Sequence, residues 1–208
     1  MNEIELKEVF IKTLHQFSEN EALNDMYWRE INWFHSQEQL HYHTLQHLID
    51  LYLELQNVKI YIKNWDATVL AIFYHDCFYN TSETENEEKS AKIALQRLSE
   101  ANVPQEIISK VNETILATKY HRKNFDQDIN YFIDADLSIL GKSSDKYQVY
   151  AENIRKEYIQ FSDEIYTNGR KRVLENFLNQ EQIFKTEHFN YLYEDQARKN
   201  LDFEISQL

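Results

Sequence analysis

Two glycines and one proline in 208 residues leave this chain few means of turning a strand sharply. Sandwiches and barrels place those residues at their corners, so such scarcity predicts an all-α protein. Apolar residues make up 42% of the chain, with 14 Tyr, 12 Phe and 3 Trp among them, enough for a full hydrophobic core at this length. No internal repeat, low-complexity tract or Pro/Ser-rich linker interrupts it. The expectation is a single domain spanning 1–208, built from nine or ten helices.

The least amphipathic of those helices is the most informative. Residues 67–80 read ATVLAIFYHDCFYN. Val69 to Phe73 shows no alternation, which predicts burial on most sides. His75 and Asp76 stand at the end of this run, and buried groups of that kind need a partner. A divalent cation satisfies both, since neutral imidazole and carboxylate are ordinary ligands of borderline metals. An isolated His-Asp pair more often caps a helix or forms a hydrogen bond, so its company decides.

Amphipathic spacing predicts helices over 3–18 and 21–36, then a third from Thr44 through Leu55, whose first turn carries His43 and His47 on one face. Further helices are expected over 64–77, 86–100, 104–119 (with Pro104 in the first turn), and 131–141 with Gly141 as C-cap. The last three are expected over 144–161, 163–180 and 187–206. The Asn168-Gly169 pair is a hairpin signal elsewhere, but its flanks here are helical.

Charge and cysteine content narrow the partners. With 22 basic and 35 acidic residues the formal charge is −13, which argues against a nucleic-acid polymer or an anionic membrane. Cys77 has no cysteine to pair with, as suits a reducing cytoplasm. No stretch approaches the ~18 apolar residues of a membrane span, and MNEIELKEVF lacks a signal-peptide core. A soluble, cytoplasmic protein acting on a small molecule is expected, with homo-oligomerisation left open.

Four ligand-type segments follow one another: His43/His47, His75-Asp76, His121, and Asp134/Asp136. Two His and two Asp would make a metal site with open positions, the catalytic rather than the structural pattern. Their order resembles the HD superfamily of metal-dependent phosphohydrolases. The wider line, YHTLQH, FYHDCFYN, NEEKSA, ATKYH, DADLSILG, IRKEY and EDQARKN, is similar to a family of predicted metal-dependent HD phosphohydrolases over about residues 40–202. The resemblance implies that His75, Asp76 and Asp136 bind a divalent ion (Mg, Mn, Co, Ni, Zn or Fe). His47 or His43 completes the set. By similarity to the His-x-x-x-His start in cyclic-nucleotide phosphodiesterases, His47 is the ligand and His43 the general acid. His121 and Glu87 are further catalytic candidates. Lys119, Arg122 and Arg155 are candidates for phosphate contact, the substrate being a small phosphate ester or a nucleotide.

Two rivals stand beside the hydrolase. A non-catalytic nucleotide-binding module would keep the same ligands without turnover. An iron oxygenase on the same fold needs about six ligands. Glu38 and His41 make one E-x-x-H pair toward that number, with no second copy.

Overall fold

Asparagine and threonine side chains start the first four helices by accepting N–H groups that the first turn leaves free. Asn2 opens α1 (Glu3–His15) in a reciprocal capping box with Glu5. Asn20 opens α2 (Glu21–Phe34), Thr44 opens α3 (Leu45–Asn57), and Asn64 opens α4 (Trp65–Tyr74). Then come α5 (Asn86–Glu100), α6 (Gln105–Ala117), α7 (Gln127–Asp136), α8 (Ser144–Glu157), α9 (Asp163–Leu178) and α10 (Glu187–Gln207). The computed structural model describes residues 1–208, and its regular elements are these ten helices and two short 3-10 turns, with no strand.

Helix α4 lies in the centre, packed against α1, α3, α5 and α6. Every residue from Ala67 to Tyr74 is buried, which is why the run carries no polar stripe. Phe73 meets Phe10 and Trp28 edge-on, at ring-centroid distances of 5.0 and 6.3 Å. The longest helix, α10, covers α7, α9 and the 3-10 turn Leu137–Gly141. No helix is long and apolar enough to cross a membrane.

Three local expectations need correction. Thr44 is the N-cap of α3 and extended, so His43 lies before the helix rather than in its first turn. Pro104 is likewise the N-cap of α6, one residue ahead of its first turn. Gly141 does not cap a helix. A Cβ there would collide with the side chain and backbone of Tyr193, so its missing side chain lets the turn lie directly on α10. Asn168-Gly169 lies inside α9, as the helical flanks imply.

Buried or half-buried carboxylates tie the loops to this frame. Asp128 accepts the N–H groups of Lys63 and Asn64, and Glu194 those of Ile183 and Phe184. Glu157, at the end of α8, accepts those of His41, Tyr42 and His43 at 2.7–3.0 Å. Each satisfies loop donors that have no helical partner.

Candidate metal centre

Two helix ends and one helix start meet beside the core. His75 continues α4 by one residue and Asp76 follows it. Asp136 is the last residue of α7, and His47 sits in the first turn of α3. The C-termini of α4 and α7 thus present their partial negative charge to one spot, which favours a cation there.

The ligand atoms of His47, His75 and Asp136 all lie within 4.8 Å of one another. His47 Nε2 is 3.1 Å from His75 Nε2 and 3.2 Å from Asp136 Oδ1, and His75 Nε2 is 3.6 Å from that oxygen. Asp76 flanks this trio on the histidine side, its Oδ2 standing 3.0 Å from His75 Nε2 and 3.7 Å from His47 Nε2. Atoms held ~2.1 Å from one ion are ~3.0 Å apart at right angles and ~3.4 Å apart at the tetrahedral angle. Three of the five separations fall in that range, and the other two, at 3.6 and 3.7 Å, lie a few tenths of an ångström beyond it.

Tautomers agree with the distances. His75 Nδ1 donates to the Ile72 carbonyl at 3.0 Å, so Nε2 is the nitrogen turned to the cluster, and a cation that displaced its proton would find it bare. Two imidazole nitrogens 3.1 Å apart need a proton or a cation between them. The carboxylates state the same demand. Burial alone would raise Asp76 and Asp136, but His75 holds Asp76 below the usual carboxylate range, and His121, His47 and His75 hold Asp136 well below it. The site therefore calls for positive charge, and these residues fit a divalent cation.

A cavity of about 200 Å³ opens on the cluster, lined by His43, Asp76, Glu87, His121 and Asp136 together with Tyr42, Tyr79 and Tyr150. Asp136 faces two ways. Its Oδ2 accepts from His121 Nε2 at 2.8 Å while its Oδ1 meets His47 and His75. His121 has a φ of 46°, a left-handed conformation that costs a non-glycine residue about 1–2 kcal/mol. Glu87 is half-buried in the cavity lining, with Lys119 at 3.8 Å.

His43 reaches the cavity from the loop before α3. Its Nδ1 donates to Glu157 Oε2 at 2.7 Å, and its Nε2 is 4.0 Å from Asp76 Oδ2. Burial lowers the proton affinity of this ring, but the Glu157 hydrogen bond and charge outweigh it, and the pKa is raised. Beneath it His35, buried and pushed down to about 4 by desolvation, donates from Nδ1 to the His43 carbonyl.

The three cations do not join this group. Lys119 binds Glu88 and the Thr84 carbonyl. Arg122 lies over the Tyr120 ring beside a separate surface hollow. Arg155 fastens the end of α8 through the carbonyls of Tyr158 and Phe161 and through Asp163. Asp134 faces away, accepting from Lys185 and Thr186. Glu38 and His41 are exposed and outside any helix.

Glu157 and His35 are the functional-site residues that sequence reasoning missed. Glu157 lies in the quoted IRKEY segment, yet its partners are more than a hundred positions away, and no local spacing points to them. No family model, curated protein sequence or solved structure matches this chain.

Proposed function

We propose that this protein is a metal-dependent phosphohydrolase of the HD type, cleaving a small phosphate monoester or diester. The observation that carries the reading is the convergence of His47, His75 and Asp136, from three separate helices, close enough to share one ion, with Asp76 beside His75. The ordered segments that resemble HD phosphohydrolases support it, as does the open cavity beside the cluster.

In this reading His47, His75, Asp76 and Asp136 hold the cation. A divalent ion bound there supplies Lewis acidity and a water acidified toward neutral pH. Glu87 and His121, on the cavity wall, orient the attacking water. His43 is the general acid. Glu157 fixes its Nδ1 proton and keeps the ring protonated, so that Nε2 can deliver a proton to the leaving oxygen. As the phosphorus–oxygen ester bond breaks, water oxygen adds at phosphorus. The leaving oxygen takes the His43 proton, and the proton released by the water restores the balance.

The test is a phosphatase and phosphodiesterase screen across Mg²⁺, Mn²⁺, Co²⁺, Ni²⁺, Zn²⁺ and Fe²⁺. Metal-dependent turnover abolished by Asp136→Asn is the expected result. Tight metal-dependent binding without turnover of any ester would favour a binding module, and oxygen consumption with bound iron would favour an oxygenase.

A further inference from the structure

Beside the first cavity the chain builds a second, of about 380 Å³, that shares three lining residues with it. His43, Tyr79 and Tyr150 line both spaces. The His43 ring stacks on Tyr79, with centroids 3.9 Å apart and an interplanar angle of 26°. The second space differs in character. Its remaining walls are mostly aromatic and aliphatic, and Ile165 and Val173 form an exposed apolar lip.

Its two cationic side chains are already paired, His43 with Glu157 and Arg170 with Glu204. The buried Arg170 guanidinium donates from Nε and Nη2 to the two oxygens of Glu204, at 2.8 and 3.0 Å. The first cavity is lined by no Lys or Arg. A second anionic group on a substrate would therefore find no free counter-charge, and leaving it desolvated and unpaired is unfavourable. An uncharged ring, by contrast, gains from apolar burial and from the faces of the tyrosines.

Gly169 adds an independent observation. It stands within α9, where glycine is the poorest helix former after proline. Gly141 is required by its contact with Tyr193, but a Cβ on Gly169 would meet nothing within 4 Å. It lines the second cavity. The residue forfeits helix stability and keeps that space open.

We propose that the cavity between α8 and α9 seats the leaving group of the substrate, and that this group is an uncharged alcohol bearing an aromatic ring. The inference rests on the phosphohydrolase reading for the word leaving group, because His43, the proton donor, lines both spaces. Its recognition half stands on the pocket alone.

Titration calorimetry of the metal-loaded protein tests that half without turnover, using phosphonates whose carbon–phosphorus bond does not hydrolyse. Benzylphosphonate should bind at least ~10-fold tighter than methylphosphonate, the worth of burying a ring rather than a methyl group. A carboxylate at the ring's 4-position should erase the gain. Gly169→Leu, which fills the space and improves helix propensity, should bring the benzyl-to-methyl ratio close to one. Ile165→Ser, at an exposed site where folding is not at stake, should lower it more modestly. Equal affinity for the two phosphonates in the wild type, or an undiminished preference in folded Gly169→Leu, overturns the proposal. In turnover, benzyl phosphate should exceed methyl phosphate, whose leaving alcohol is of similar basicity. Esters hydrolysed with no benzyl preference would sink the pocket and spare the hydrolase. A benzylphosphonate preference with no ester hydrolysed would do the reverse.

Discussion

The last turn of α7 carries two aspartates, two residues apart, in opposite surroundings. Asp134 is fully buried and accepts the Lys185 and Thr186 N–H groups and the Thr186 hydroxyl, at 2.7–2.9 Å. Every one of those donors belongs to the protein, and they fix the segment leading into α10. Asp136 accepts no backbone N–H. It faces the imidazoles of His121, His47 and His75, on the wall of an open cavity. A buried carboxylate supplied with backbone donors is a structural tie. One surrounded by imidazole nitrogens is a place for a cation. Sequence spacing alone makes the two look equivalent.

Breaking each aspartate in turn should separate the two roles. Asp136→Asn removes a ligand charge. It should weaken metal binding by ~100-fold or more, given that partners one shell further out already matter 10–100-fold, and phosphoesterase activity should vanish with it. Circular dichroism should stay helical. Retained stoichiometric metal, read by elemental analysis after dialysis, would contradict the role given to Asp136. Asp134→Ala should do the opposite. It leaves several buried donors unpaired, at about 1–3 kcal/mol for each group that finds no water, so denaturant stability falls while the metal content of the folded protein holds.

A sharper comparison sets His47 against His43. His47→Ala should lose the ion or bind it ~10-fold or more weakly. His43→Ala should keep the ion yet slow turnover by roughly 10²–10⁴, the usual worth of a general acid. That slowing should shrink for p-nitrophenyl phosphate, whose leaving group departs without a proton. Loss of metal from His43→Ala with retention in His47→Ala would reverse the two assignments.

The smallest expected effect concerns Glu157. Its pKa is held below the usual 4.5 by the His43 hydrogen bond and the loop N–H groups, against the upward push of burial. Stability from that shift is present above about pH 4.5 and lost as the pH falls through the lowered value. The matching rise of His43 above 6.5 contributes below that pH and is lost as the pH climbs through the raised value. In chelator-treated protein, the gap between wild type and Glu157→Gln should therefore be widest between about pH 4.5 and 6.5 and narrow on both sides. A gap that does not change with pH would show that Glu157 acts only as an acceptor for the loop.

Much of this was readable in the chain. Helix periodicity locates nine of the ten helices to within a few residues, because the scarcity of Gly and Pro leaves no competing turn chemistry, whereas the one expected over 131–141 runs Gln127–Asp136 and then tightens into a 3-10 turn. The order of His47, His75-Asp76 and Asp136 marked the cluster, because each residue edges an apolar run that fixes its place on the core. His43 was misplaced by one cap. Thr44 is a standard N-cap residue, and reading it so would have put His43 in the preceding loop. Charge alone marks the phosphate-contact candidates, and charge says nothing about which acid a lysine or arginine already serves. Glu88 takes Lys119, and Asp163 with two carbonyls takes Arg155. Glu157 was hidden for a different reason. Its loop partners lie on the far side of a tertiary contact that no local pattern records.

The central claim is that two imidazoles and two carboxylates of this chain hold one cation. X-ray absorption at the edge of the bound metal reads that set directly. The account predicts a shell of nitrogen and oxygen at ~2.0–2.2 Å, with outer-shell scattering from two imidazoles that falls to one in whatever ion His75→Ala still retains. A tightly bound ion with no imidazole in its shell, or no tightly bound ion with any divalent metal, would contradict it.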